Sequence, residues 1–108
     1  IKMEKEKFKK YTDEIFNALN YHDESEAIVD FAILSASSKY AEFYDECQKF
    51  EKKYGKSFDD FAGKIRRKIG TEKFEEEDDL MAWQFAKENM DYWENRLEEL
   101  KSALQSAS

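Results

Sequence analysis

Few side chains in this 108-residue chain could carry out chemistry, and their scarcity limits the reactions available. His22 is the only histidine and Cys47 the only cysteine. A zinc site built from several Cys and His, or a di-iron centre using Glu-x-x-His twice, is therefore excluded. A Cys–His nucleophilic pair would need Cys47 beside His22, but Cys47 lies in an apolar repeat, where a buried thiol is inert. We expect no enzyme, no cofactor and no metal centre.

The acidic run from Glu75 to Asp79 is a carboxylate cluster that could hold Mg²⁺ or Ca²⁺. It lacks the alternating ligand spacing and the turn glycine of a calcium loop. Carboxylates also gather where they meet the positive end of a helix dipole, so we interpret the run as the start of a helix. A divalent-metal enzyme using these carboxylates stays as an alternative.

A basic cluster precedes the acidic run and contains Arg66 and Arg67 between two lysines. Both arginines could anchor an acidic partner, although cations in the last turn of a helix also complement its dipole. The chain as a whole has a net charge of −7 and a pI near 4.8. Such a surface repels nucleic acid and anionic lipid, so a basic protein is the more natural partner.

Two stretches of the sequence carry apolar residues spaced alternately three and four apart. This spacing places each set on one face of a long helix, and its period near 3.5 allows two helices to pair as in a coiled coil. The members of the two repeats are Val29, Ile33, Ala36, Tyr40, Phe43, Cys47, Phe50 and Tyr54, and then Trp83, Ala86, Met90, Trp93, Leu97, Leu100 and Leu104.

Local signals predict four helices, over residues 3–19, 24–54, 58–69 and 76–104. Asp23 with Glu26 and Ser57 with Asp60 form capping boxes, and Gly55 stands where a left-handed cap ends a helix. No proline interrupts the chain. The fold class is therefore all-α: one domain over 1–108, in which an antiparallel hairpin of two long helices is braced by two shorter helices.

Aromatic residues are too numerous for a chain of this size to bury completely. Nine Phe, six Tyr and two Trp occur in 108 residues. Exposed rings favour an interface, either in a homodimer or with another protein. Together with charged candidates, the predicted partner-binding residues are Tyr40, Tyr44, Tyr54, Arg66, Arg67, Asp78, Asp79, Tyr92 and Trp93.

The first half of the second helix, AIVDFAILSAS from Ala27, is apolar nearly all the way round. We expect two neighbouring elements to cover it. No apolar segment is long enough to span a membrane, and a single cysteine makes no internal disulfide. These features predict a cytoplasmic protein.

Two segments of the sequence carry a resemblance: FEKKYGKSFDDF from Phe50 and FEEEDDLMAWQFAKENMDYWENRLEEL from Phe74. They resemble a family of small helical proteins of archaea and bacteria. Members of such families look like antitoxin or toxin-partner subunits. The resemblance implies no catalytic residue and no DNA-binding motif, so an antitoxin role would consist of masking a partner.

Three hypotheses about function follow. The first is a non-enzymatic interaction subunit, antitoxin-like, that presents an acidic helical surface to a basic toxin or regulatory protein. The second is an acidic inhibitor that imitates nucleic acid, with carboxylates along one exposed face and binding that salt weakens. The third is the carboxylate-site enzyme that uses a divalent cation.

Overall fold

The computed structural model describes residues 4–67 and 74–106 of the chain. The described residues form four helices: α1 (Lys5–Ala18), α2 (Glu24–Tyr54), α3 (Phe58–Arg67) and α4 (Phe74–Ser106). The all-α prediction is confirmed, and α2 has the predicted bounds. Met3, and the predicted end of α3 at residues 68–69, lie outside the described residues. Helix α4 begins at Phe74, two residues earlier than predicted, so the acidic run lies within its first turns.

Short-range hydrogen bonds explain where the helices begin and end. The backbone N–H of Glu26 donates to Asp23 Oδ1 at 3.0 Å, and the N–H of Asp60 donates to Ser57 Oγ at 3.2 Å. In return, Glu26 Oε2 accepts from the N–H of His22 at 3.0 Å. These bonds satisfy amide groups that the first turn of a helix leaves without partners.

Gly55 ends α2 in the left-handed conformation, with φ of 62°. We expect Gly55→Ala to lower the free energy of unfolding by about 1 kcal/mol, because an L side chain is strained at this φ even where space is open. An added Cβ would meet no atom within 4 Å. Chemical denaturation measures the change.

Gly63 is the matched control because it lies inside α3 with ordinary helical backbone. We expect Gly63→Ala to raise the free energy of unfolding by about 0.5 to 1 kcal/mol, since alanine has the better helix propensity. The nearest atom to its Cβ would be Arg67 Nη1 at 4.0 Å. Changes of the same sign at both glycines would contradict the role assigned to Gly55.

The chain divides into two compact units, Ile1–Ser35 and Ala36–Ser108, and α2 supplies residues to both. In the first unit, the Tyr21 hydroxyl donates to Asp30 at 2.7 Å and its ring meets Phe16 edge-on at 6.1 Å. The hydrogen bond to Asp30 raises the pKa of Tyr21. Ala27 is buried here.

Large apolar side chains remain exposed in the first unit. On α2 they are Ile28, Phe31 and Leu34, so the predicted cover on two sides of this segment is not observed. On α1 and its C-cap residue they form one line along the helix, which we call the α1 stripe: Phe8, Tyr11, Ile15 and Leu19.

The second unit holds the main core, which surrounds Trp83. Trp83 and Phe61 are each 1% exposed, and Cys47 and Ala86 are buried beside them. Around this centre pack partly buried side chains from all three helices of the unit: Phe43, Phe50, Tyr54, Phe58, Ile65, Leu80 and Met90.

The predicted hairpin of α2 and α4 is confirmed, because ring contacts fix the two helices as antiparallel. Phe50 stacks on Trp83 with centroids 5.7 Å apart, and Phe43 meets Phe85 edge-on at 6.0 Å. Thus residue numbers fall along α2 as they rise along α4. Helix α3 closes one end by placing Phe58 and Phe61 against Trp83.

Candidate functional site

Helix α4 has two apolar sides, and only one of them is packed. Trp83, Ala86 and Met90 point into the core of the second unit. The other side carries a line of large side chains spaced seven, four and seven residues apart, which we call the α4 stripe: Phe74, Met81, Phe85 and Tyr92. At about 100° per residue this spacing brings all four onto one side of the helix. Met81 is 71% exposed and Phe85 is 62% exposed.

Carboxylates flank the α4 stripe. Glu77 and Asp78 are exposed beside Phe74 and Met81, and neither makes an ion pair or hydrogen bond with the described residues. Glu88 lies further along the same side and accepts a hydrogen bond from Gln84 at 3.1 Å. The stripe thus combines exposed apolar surface with negative charge, a pattern that suits a basic amphipathic partner.

A groove of about 540 Å³ between α2 and α4 continues from the stripe at Phe85. Its apolar lining comes from Phe43, Phe85 and two alanines of α4. Its polar lining comes from α2 and comprises Glu42, Asp45, Glu46 and Lys49. Glu46 pairs with Lys49 at 3.4 Å, and Glu42 pairs with Lys39 at 3.3 Å. With three carboxylates and one lysine, the groove has a negative net charge, as does the surface around the α4 stripe.

A hydrogen-bonded network at the C-terminal end of α2 joins Lys53 and Tyr54 to Asp79 of α4. Lys53 Nζ lies 2.7 Å from Asp79 Oδ2 and 2.8 Å from Glu75 Oε1, and the Tyr54 hydroxyl donates to Asp79. Lys53, and next Tyr54, lower the pKa of Asp79. Burial, reinforced by the hydrogen bond to Asp79, raises the pKa of Tyr54 to about 12. This network ties the start of α4 to the end of α2.

Two of the predicted partner-binding residues therefore belong to the structural network. Tyr54 stacks on Phe61 at 4.1 Å, and its hydroxyl meets Asp79. Asp79 is half-buried. Both side chains face neighbouring helices of the same chain.

The other predicted residues are distributed over the surface of the second unit. Tyr40 and Tyr44 stack on each other at 6.1 Å on α2. Arg66 and Arg67 are exposed at the end of α3.

Asp78 and Tyr92 lie with the α4 stripe. Asp78 is exposed at its edge, and Tyr92 is its last member. Trp93 is half-buried and meets Tyr92 edge-on at 5.0 Å. The Arg96 guanidinium lies over the Tyr92 ring, 5.1 Å from its centroid. Of the nine predicted residues, Asp78 and Tyr92 are therefore the two that lie on the exposed apolar side of α4.

Sequence reasoning did not identify Phe74, Met81 and Phe85 as candidates. The sequence does contain an indication of this surface, because Phe74, Met81, Phe85 and Tyr92 follow one another at steps of seven, four and seven residues. The stronger repeat through Trp83 on the same helix drew the interpretation to the opposite face.

The two nucleophile candidates stand apart from this surface. Cys47 is buried, and burial raises the pKa of its thiol, with Glu51 and Asp91 adding to the effect. His22 is exposed at the junction before α2. Within residues 4–67 and 74–106, no group of three or more His, Cys, Asp or Glu side chains could hold a metal ion.

Comparison with known proteins gives no relative: no family model, no curated protein and no solved structure matches the chain. Among the described helices, none combines the length and the apolar character that crossing a membrane requires.

Proposed function

We propose that this protein is a non-enzymatic interaction subunit that binds a basic amphipathic helix of a partner protein along the α4 stripe. The observation that carries the proposal is the exposed second apolar side of α4. A surface helix normally turns its single apolar side to its own core. A second apolar side as exposed as Met81 and Phe85 marks an interaction surface.

A helix is the partner element that fits this surface best. Helix-in-groove recognition uses apolar anchors three, four or seven residues apart, and the steps of seven, four and seven in the α4 stripe follow the same helical period. The groove beside Phe85 offers a second row of apolar contacts between α2 and α4. An imitation of nucleic acid would instead need carboxylates arrayed without an apolar centre.

Charge selects a basic partner. Glu77, Asp78 and Glu88 flank the stripe, and the groove is lined by three further carboxylates. Lysine or arginine beside the apolar anchors of the partner would meet these groups and speed association. A basic toxin or regulatory protein is such a partner, and the antitoxin-like role implied by the sequence resemblance stays a prediction.

Binding is tested with a labelled synthetic helix of about 18 residues that carries leucine on one face and lysine beside it, long enough to be helical. We expect the full chain to raise its fluorescence anisotropy, and Met81→Glu to weaken binding at least about tenfold, equivalent to 1.4 kcal/mol. Salt should weaken binding because the ion pairs are exposed.

Two controls keep the test specific. Phe31→Glu changes a side chain that is 70% exposed on α2, close to the exposure of Met81, and should leave binding unchanged. A second peptide, with glutamate in place of lysine, should bind weakly. Equal binding of both peptides, or equal losses from both substitutions, would show that the α4 stripe is not the binding surface.

A further inference from the structure

We infer that the helix bound by the α4 stripe is α1 of a second copy of this chain, so that two molecules associate by exchanging α1·α4 contacts. This inference rests on the proposed function and names its partner. Helix α1 is amphipathic, but none of its residues is buried. Phe8, Tyr11, Ile15 and Leu19 are all more than half exposed.

The two stripes share a spacing. Phe8, Ile15 and Leu19 are separated by seven and then four residues, as are Phe74, Met81 and Phe85. Helices that share an apolar repeat can lie side by side with their anchors in register. In a parallel pair, Phe8 would lie beside Phe74, Ile15 beside Met81, and Leu19 beside Phe85.

The parallel register brings two lysines of α1 level with the first carboxylates of α4. Residues 5–10 of α1 hold four lysines and one glutamate, whereas Asp13 and Glu14 follow in its second half. On α4 the carboxylates are concentrated at the start, from Glu75 to Asp79. In the register given above, Lys9 and Lys10 lie level with Glu75 and Glu76, and Asp13 lies level with Asp79, whose carboxylate is already paired with Lys53 and Tyr54. Two α4 stripes facing each other would bring acidic edges together.

The area available is sufficient for a stable pair. Taking about 150 to 250 Å² for each fully exposed aromatic side chain, each stripe presents on the order of 400 to 500 Å² of surface. Two reciprocal contacts would then bury roughly 1,800 Å², within the range of about 1,200 to 2,000 Å² for stable specific interfaces. A two-fold pair makes the contact twice because each molecule supplies one α1 and one α4.

Sedimentation equilibrium of the full chain tests the inference. We expect wild type to be a dimer of 12.9 kDa chains at micromolar concentration. Ile15→Glu on α1 and Met81→Glu on α4 should each weaken the dimer at least about tenfold. Both side chains are exposed, so neither substitution disturbs the core; circular dichroism checks that helix content is unchanged. Phe31→Glu should leave the dimer intact.

Mixing the two variants gives the decisive result. The intact α1 of the Met81→Glu chain can still bind the intact α4 of the Ile15→Glu chain, so the mixture should form a 1:1 complex that neither variant forms alone. A dimer that only Met81→Glu disrupts would show α4 pairing with α4 and overturn the inference. A dimer disrupted by Phe31→Glu alone would also overturn it.

The lysine-bearing peptide separates this inference from the proposed function. The Ile15→Glu chain leaves the α4 stripe unoccupied and should bind the peptide more tightly than wild type, in which α1 of the second copy competes for the same stripe. If wild type is a monomer but binds the peptide, the second copy is the wrong partner and the proposed function stands. If wild type is a monomer and neither chain binds the peptide, both proposals fail.

Discussion

Trp83→Ala is expected to lower the free energy of unfolding by about 3 to 5 kcal/mol, the usual cost of removing a large aromatic side chain from a core. Trp83 is almost fully buried, and two helices, α2 and α3, supply rings to it. Phe50, Phe58 and Phe61 have their centroids within 5.7 Å of its own. Truncation removes their common neighbour and leaves a cavity that the helices can close only partly.

The expected loss is large compared with the stability of about 5 to 15 kcal/mol that is typical of a small domain. Chemical denaturation followed by circular dichroism measures it. Trp93→Ala is the matched control, since Trp93 lies on the same helix but is only half-buried. Its loss should be clearly smaller. Equal losses at the two tryptophans would show that the core is not centred on Trp83.

Asp79→Ala is expected to lower the free energy of unfolding by about 2 kcal/mol. Hydrogen bonds to a charged group contribute about 1.5 to 3 kcal/mol each, and the half-buried hydroxyl of Tyr54 would lose its acceptor. The ion pair with Lys53 adds little, because the Lys53 side chain is 46% exposed.

Asp78→Ala is the control that separates loss of a negative charge at the start of α4 from loss of the hydrogen bond to Tyr54. Asp78 and Asp79 are neighbours in the same acidic run and act similarly on the α4 dipole. Only Asp79 contacts Tyr54, so Asp78→Ala should change stability by less than about 0.5 kcal/mol, as is usual for an exposed site. Similar losses at both positions would show that charge alone is responsible.

The loss of stability caused by Asp79→Ala is expected to become smaller as the pH falls. Because the pKa of Asp79 is lowered in the folded protein, the carboxylate stabilises the fold above its ordinary pKa of 3.8. That contribution is lost as the pH falls through the folded pKa. The difference between wild type and variant should therefore be full at pH 7 and shrink below pH 4. A difference that grows in acid would contradict the assigned interaction.

The sequence by itself determined the helices, because the groups that begin and end them are close neighbours along the chain. Asp23 caps an amide three residues on, and Ser57 does the same. Gly55 takes up a conformation that its missing side chain allows. The repeat through Trp83 also predicted the packed side of α4. Each of these needs only contacts within one or two turns, or a periodicity that can be counted.

Tertiary structure decided which predicted side chains face a partner. Asp78 and Asp79 are equivalent in the sequence, but one is exposed and the other meets Tyr54, 25 residues away. Likewise, α4 carries a second apolar repeat beside the one through Trp83, and periodicity does not tell whether that second repeat is covered as well. The core of the second unit has room for one of them, since α2 and α3 pack around Trp83. Burial depends on residues distant along the chain, and therefore the α4 stripe became visible as a surface only in the folded protein.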